Sequence, residues 1–515
     1  MSSNDIPDFD MVVGVDFGVA YGLGAYPDEP IKEILQWPGL GRPRQNSVNE
    51  KVPTEICYNQ DGVAKTWGYM KRLPDTTSYS WFKLFLDPRA ASEAYHDTNL
   101  AATIGNMTAR DTVNRCVAPG KTVEQMCIDY LRLLYDHILD SLGRDNAQLD
   151  SLRIKFVITT PAMWSPAAQD LTRHAAFEAG FGRRSTDWVD IVSEPEAAAN
   201  HSLKLLLRDN SRERQGLHSY AVAAGWEVGS NILMVDAGAG TVDTVVYEIT
   251  GLDPLQVKET ITPKGGLCGA ASIDCAFHAL LEERLGDQRH LLTPEMRSWG
   301  STLMKSFEEH KFDFGTELID DDATASMVIR HGITELSPVP EHNITSHTIT
   351  LTRADFKNLF DPAVDTVMEL VTDLERQVRA GSSQRRIKAI VLVGGFGSSA
   401  YLYDRLNRWA QAQEPPIYVN QPYDGSLAIA KGAVAYGINR LENIRRFLPC
   451  HYGVFLNFPY DPEEHSYADT YVDDFDGHRY CNTTVQWFAE KVSISPVTAS
   501  TGRRRNKKAD HTALS

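Results

Sequence analysis

The sequence predicts an α/β protein of two similar lobes facing each other across a cleft. Three observations predict it. An apolar run that ends in an aspartate, with a glycine two residues later, occurs twice: Met11-Val-Val-Gly-Val-Asp-Phe-Gly18 and Ile232-Leu-Met-Val-Asp-Ala-Gly238. Each copy is followed by a second apolar run, Val19 to Tyr26 and Thr241 to Ile249, so each reads as a strand, a tight turn and a return strand. Further buried strands lead through Pro or Gly into helical patterns, at Ile154 to Pro161 and at Ile387 to Ser399.

Length and composition agree. The chain has 515 residues, more than one hydrophobic core organises, so two or more domains are expected. A hydrophobic fraction of 42% and a charged fraction of 23% are those of a soluble globular protein. The net charge of −17 argues against a broad nucleic-acid surface. The one basic run, Arg503 to Lys508, reads as a solvated tail or a nuclear signal, with the tail favoured. Seven cysteines form no CxxC pair, and an odd count makes no disulfide framework, so reduced thiols and a cytoplasmic location are expected. Met1 to Asp10 has no apolar signal core, and no apolar run is long enough to span a membrane.

In chain order, Pro53 to Asn59 reads as a strand. Trp81-Phe-Lys-Leu-Phe-Leu86 sets Lys83 inside an aromatic and aliphatic run, where it either snorkels or serves a site. Thr122 to Leu142 carries apolar residues at helical spacing. A helix from about Pro166 to Ala179 is closed by Gly180. Asp190 to Ala199 gives a short strand, then Glu194 and a helix opened by Pro195, whose three alanines permit close approach. Gly265 to Ser272 is a small-residue turn before a helix from about Ile273 to Arg284. Glu308 and Lys311 share a helical face, where a surface ion pair is the plain reading. A long helix runs from Arg353 to about Arg379 with a break expected at Pro362. Ile387 to Ser399 joins a buried strand to glycines and a helix start, a generic anion or nucleotide seat that matches neither GxGxxG nor the Walker A lysine pattern. Tyr423 to Gly437 reads as a helix with a small-residue packing stripe of Ala428, Gly432 and Ala435. Beyond Arg446 the periodicity fades, and Ser493 to Ser515 reads as disordered.

A carboxylate ending a buried strand, beside a turn without side chains, suits a cation and a phosphate together. The plain alternative for the second copy is a Gly-rich hairpin with Asp236 as a turn former. Two copies at lobe-sized separation favour a polyphosphate clamp.

These motifs stand in the order of the actin-like ATPase superfamily. Val192-Ser-Glu-Pro-Glu-Ala-Ala-Ala199 and Leu392-Val-Gly-Gly-Phe-Gly-Ser-Ser399 resemble the nucleotide-binding domain of the heat shock protein 70 (DnaK-type) family, in its divergent branch. The resemblance covers about residues 11 to 446. It implies two lobes, each built on a duplicated ribonuclease H-like sheet with flanking helices, and a nucleotide in the central cleft. It divides the chain into a tail, 1–10; lobe I, 11–225, with an insertion at about 40–115; lobe II, 226–419, with an insertion at about 265–355; a return helix, 420–446; and a partly disordered remnant, 447–515.

The same resemblance implies ATP or ADP with Mg2+, and roles for residues. Asp16 and Asp236 would orient the magnesium through its waters. Gly18, Val19, Ala20 and Tyr21, with Gly238, Ala239, Gly240 and Thr241, would cradle the phosphates. Lys83 would neutralise the transferring phosphoryl group, and Glu194, Thr241 and Asp243 would serve water and metal. Glu308 and Lys311 match the Glu-x-x-Lys of the adenine and ribose pocket. Gly269, Gly394, Gly395, Phe396, Ser398 and Asp424 would close the nucleotide site, and Pro161 would relay nucleotide state. Partners beyond the nucleotide would be protein clients or co-chaperones, with no nucleic acid and no membrane.

This sequence departs from the family where two hydroxyls are replaced by Val19 and Ala20, where the middle glycine is Ala239, and where the arginine after the proline relay is Gln169. Ala239 would cost about 1 kcal/mol if its position requires a positive φ. Residues 447–515 are too short for a full β-sandwich and helical lid. The expected function is an ATP-binding, slowly hydrolysing chaperone-like ATPase. A nucleotide sensor or scaffold without turnover is the alternative, and a sugar kinase of the same fold the weakest reading.

Overall fold

The computed structural model describes residues 9–17, 21–25, 31–34, 36–39, 51–87, 118–145, 148–208, 225–298, 300–316, 326–381, 385–438, 442–445, 452–463, 465–489 and 507–508. Gly18, Val19 and Ala20 lie outside them.

In the first lobe, β1 (Met11–Asp16), β2 (Tyr21–Ala25) and β3 (Lys32–Glu33) form an antiparallel meander. β4 (Glu55–Tyr58), β5 (Ala64–Trp67) and β6 (Thr77–Ser80) make a separate small sheet in the order β5-β4-β6. β7 (Ile154–Thr160) joins β1 in parallel and β8 (Trp188–Ser193) joins β7, giving a main sheet β3-β2-β1-β7-β8. All six residues of β1 are buried, as the unbroken apolar run of a central parallel strand requires.

The second lobe repeats this plan. β9 (Asn231–Ala237), β10 (Val242–Leu252) and β11 (Leu255–Glu259) form the meander, and β12 (Lys264–Gly266) pairs β10. β13 (Ser326–Arg330) and β14 (Thr348–Thr352) make a hairpin sheet. β15 (Ile387–Val393) joins β9 in parallel, β16 (Tyr418–Asn420) joins β15, and β17 (Glu442–Arg445) lies parallel to β11. The order β16-β15-β9-β10-β11 matches β8-β7-β1-β2-β3 strand for strand, in sequence order and in direction.

Two helices lie between the main sheets, Glu194–Arg208 and Ala428–Ile438. Their core joins Val12 and Val157 of the first sheet to Met234 and Val391 of the second, through Ala197, Ala198, Ala199, Ala433 and Val434. The approach is very close. A Cβ built on Gly432 would stand 1.7 Å from the Ala197 carbonyl oxygen, and one on Gly14 would stand 2.6 Å from the Ala430 oxygen. Within the expected stripe, Ala428 and Gly432 are buried and Ala435 is half-buried. Each lobe has its own further core.

Local signals act as their chemistry dictates. Helix Pro166–Ala179 starts at Ser165, whose hydroxyl accepts from the Ala168 amide at 3.2 Å, and stops at Gly180 with φ 128°. The break expected at Pro362 does not occur, because the helix runs unbroken from Arg353 to Gly381. Phe356, Leu359, Phe360, Ala363, Val364 and Val367 are buried on both sides of the proline, and this packing offsets the one backbone hydrogen bond that proline removes. The chain beyond Arg446 folds further, into a sheet of β18 (Tyr452–Pro459), β19 (Thr470–Val472) and β20 (Arg479–Ala489), with β21 (Lys507–Lys508) also paired to β20. Val454, Phe455 and Leu456 are exposed in succession, so no alternating pattern marks the strand in the sequence. Among the described residues, no helix is long and apolar enough to cross a membrane.

Replacing Gly432 by Val forces side-chain atoms into the Ala197 carbonyl. The expected cost is about 3 kcal/mol, read as a lowered urea midpoint. Gly381→Ala, with open space at its Cβ and no positive φ at the end of its helix, does not lower the midpoint and should raise it slightly.

Candidate functional site

Asp16 ends β1 and Asp236 stands one residue from the end of β9, at matching points of the two sheets. Both are buried. Tyr21 sits opposite Asp16 in the β1–β2 ladder, and Asp243 opposite Asp236 in the β9–β10 ladder. The turn between β9 and β10 is tied on both sides. The Gly238 amide donates to the Thr241 carbonyl at 2.9 Å. The carbonyls of Gly238, Ala239 and Gly240 accept from the amides of Ala270, Ala271 and Gly269 at 3.2, 2.9 and 3.3 Å. A Cβ on Gly269 would stand 2.4 Å from the Ala239 oxygen, so the small-residue stretch packs backbone against backbone. None of Gly238, Ala239 and Gly240 takes a positive φ. The conditional cost attached to Ala239 therefore does not arise, since an alanine fits this turn without strain.

Lys83 crosses from the first lobe's insertion to Glu194, with its ammonium 3.0 Å from Oε1. Both side chains are less than a tenth exposed, so the lysine does not snorkel. It lies 5.2 Å from the Phe17 ring centroid and 5.3 Å from that of Trp164, flanked by aromatic faces. Thr159 donates to Asp16 at 3.4 Å. Asp243 accepts from the Met163 amide at 3.2 Å and from the Thr241 hydroxyl, which brings the turn after Pro161 to the second lobe. Gln169 donates to the carbonyl of Trp164 in that same turn at 3.3 Å.

Four carboxylates, Asp16, Glu194, Asp236 and Asp243, thus share a buried space with the Lys83 ammonium. Burial pushes Glu194 up to about 7 against the pull of Lys83, with Asp16 and Asp243 adding to the rise. Burial likewise pushes Asp243 up to about 6. Asp236 is raised well above the carboxylate range, first by burial and then by Glu194, Asp243 and Asp16. Its Oδ1 has no hydrogen-bond partner. A Cβ on Gly394 would stand 2.6 Å from that oxygen and 2.3 Å from the Ala237 carbonyl oxygen, and Gly394 has φ +89°. Only glycine meets both demands.

An orphaned buried carboxylate oxygen inside an excess of negative charge fits a divalent cation. Among the described residues, no three such groups converge closely enough to ligate one ion directly. A cation held there would therefore take few of these protein oxygens directly and keep several waters.

Other expected site residues sit further out. Gly395 and Ser398 are exposed beside Gly394, whereas the Phe396 side chain is buried in the second lobe's core and presents no face to a ligand. Asp424 accepts from His201 Nε2 and from the Lys431 ammonium, each at 3.0 Å, and His201 first and then Lys431 hold its carboxyl well below the usual range. Lys311 pairs with Asp274 on the neighbouring helix Ala271–Leu285 at 2.6 Å, not with Glu308 as helical spacing suggested. Glu308 lies close enough to Tyr69 of the first lobe's insertion to add to the rise of its phenol pKa. Phe17, Trp164, Thr159 and Lys51, whose charge reaches Asp236, escaped the sequence reading. Only the adjacency of Phe17 to Asp16 signalled any of them.

No family model matches the chain. Against known proteins, it is 26% identical to Heat shock 70 kDa protein 12A of Homo sapiens over 545 residues, covering 93% of this chain and 77% of that protein. It is 26% identical to the Mus musculus protein of the same name over 548 residues, with the same two coverages. It is 25% identical to Heat shock 70 kDa protein 12B of Homo sapiens over 568 residues, covering 96% of this chain and 79% of that protein. With its paired sheets, interlobe helices and motif order, the chain is a divergent relative of the heat shock protein 70 family, built on the actin-like ATPase fold.

Proposed function

We propose that the chain binds Mg-ATP between its lobes and hydrolyses it slowly, and that a partner protein, a client or co-chaperone, responds to the lobe closure. The observation that carries this reading is the Asp236 carboxylate, buried with an orphaned oxygen among three further acids, with Lys83 beside them. Such a cluster lacks positive charge, and Mg-ATP supplies a cation together with an anion for Lys83.

In this reading Asp16 and Asp236 orient the waters of the magnesium, which when bound would offset developing charge on the phosphoryl oxygens. Gly394 keeps the space beside Asp236 open. Lys83 neutralises the phosphoryl group from the first lobe. Glu194, with a pKa near physiological pH, is suited to take a proton from the attacking water. Asp243 holds the Met163 amide, so the turn after Pro161 senses the geometry of the second lobe. Sensing without turnover is the second reading, favoured by Val19 and Ala20, which offer amides but no hydroxyls.

Calorimetric titration with Mg-ATP is expected to give binding heat, and its absence ends the reading. Asp236→Asn weakens magnesium-dependent binding by about tenfold or more. Single-turnover hydrolysis that Asp236→Asn abolishes rules out the sensor without turnover.

Stability depends on pH with a definite sign. A carboxyl raised by folding keeps, in the folded chain, a proton that the unfolded chain has released. The unliganded chain therefore loses stability as pH rises from the ordinary Glu194 value of 4.5 to about 7. Urea midpoints between those limits should fall, and Glu194→Gln should flatten the fall.

A further inference from the structure

Trp81 has φ 61° and ψ 3°, in the left-handed region that bulky residues avoid. Its side chain makes no capping hydrogen bond. It opens a 3-10 segment, Phe82–Leu86, in which every residue is buried. Two consecutive residues of that segment reach different lobes. Lys83 pairs with Glu194 in the first. Leu84 meets the second: a Cβ on Gly240 would stand 3.3 Å from its Cδ2, and Leu84 clusters with Ala271, Leu267 and the Trp81 ring itself. The far end is pinned by Asp87, which accepts from the Ser165 amide at 3.1 Å. The ring, seated in that interlobe cluster, is what offsets the strain of the backbone.

We infer that Trp81 is a positioning residue, whose ring holds the left-handed turn that sends Lys83 to Glu194 and Leu84 to the Gly240 turn together. Separating the lobes removes the seat of the ring, relaxes the turn and withdraws Lys83. The link between Lys83 and turnover rests on the proposed function, but the turn itself does not.

The test compares Trp81→Ala with Trp81→Gly in the full chain. Glycine adopts the left-handed turn freely, whereas alanine has neither that freedom nor the ring. Trp81→Ala should lower single-turnover ATP hydrolysis about tenfold with little change in the Mg-ATP Kd, and Trp81→Gly should restore most of the rate. Hydrogen–deuterium exchange of residues 82–86 should rise in Trp81→Ala and in Leu84→Ala, and stay near wild type in Trp81→Gly. Alanine and glycine variants that behave alike in exchange overturn the inference, as does a Leu84→Ala chain that exchanges like wild type. If the wild-type chain binds no nucleotide, the proposed function fails, and exchange in the unliganded chain alone decides the role of Trp81.

Discussion

Taking Asp16, Glu194, Asp236 and Asp243 out of water together is costly, and the Lys83 ammonium, even with the Lys51 charge that reaches Asp236, does not offset it. The fold accepts this because each acid is held by an element whose position is fixed for other reasons. Asp16 and Asp236 stand in strands buried along their length. Glu194 opens a helix locked between the two sheets. Asp243 is held across the β9–β10 ladder from Asp236. The cluster cannot relax by moving apart, so the raised Glu194, Asp236 and Asp243 keep their protons to higher pH, or a cation must enter. Charge frustration of this kind is a stronger functional signal than any one motif, because a structural role would not require it.

The duplicated sheet explains where the frustration gathers. The carboxyl ends of β1, β7 and β8 in one half and of β9 and β15 in the other meet at this cluster, the end at which open α/β sheets bind ligands. The halves are not chemically equal. After β8 the first lobe places Glu194-Pro195, buried and paired to Lys83. After β16, the equivalent strand, the second lobe places Gln421-Pro422, and the Gln421 amide donates to the Gly397 carbonyl at 2.6 Å. One copy carries a buried acid paired with a lysine, while the other carries a neutral amide that braces the loop beside Gly394. Between them the helices cross so closely that a carbonyl occupies the place of a side chain at Gly432. The contact has no slack, and it ties the helix that begins with Glu194 to the return helix.

Much of this was legible in the sequence, and the division between what was and was not is physical. The two aspartate-ended strands and their turns are local objects, written in consecutive residues, and both strands stand where the pattern placed them. Gly180 and the alanines after Glu194 act through neighbours within a few residues or through backbone approach, and the local sequence reveals them, whereas the Ser165 cap emerged only in the structure. The Lys83–Glu194 pair joins residues 111 positions apart and leaves no periodic trace. Lys311 shows the limit of helical spacing, which says which face a residue occupies but not what lies opposite. Asp274, from another helix, takes the place that Glu308 seemed to fill. Pro362 shows packing overriding a local preference, and β18 shows a strand with too little burial to imprint an alternation.

The departures at the phosphate turns separate into two kinds once the geometry is considered. Ala239 replaces a glycine where no positive φ is needed, and its carbonyl already serves the Ala271 amide, so the substitution leaves that turn's architecture intact. Val19 and Ala20 are different in kind, because a hydroxyl lost from a side chain is not replaced by backbone placement. Amides alone hold a phosphate in the ground state, whereas hydroxyls aimed at developing charge contribute chiefly in the transition state. Under the proposed function, the losses at Val19 and Ala20 would therefore fall on rate and spare affinity. Lys83 stands opposite Glu194 in a segment that a left-handed residue opens and that touches both lobes, and under the proposed function this unaltered pair would sustain a slow rate.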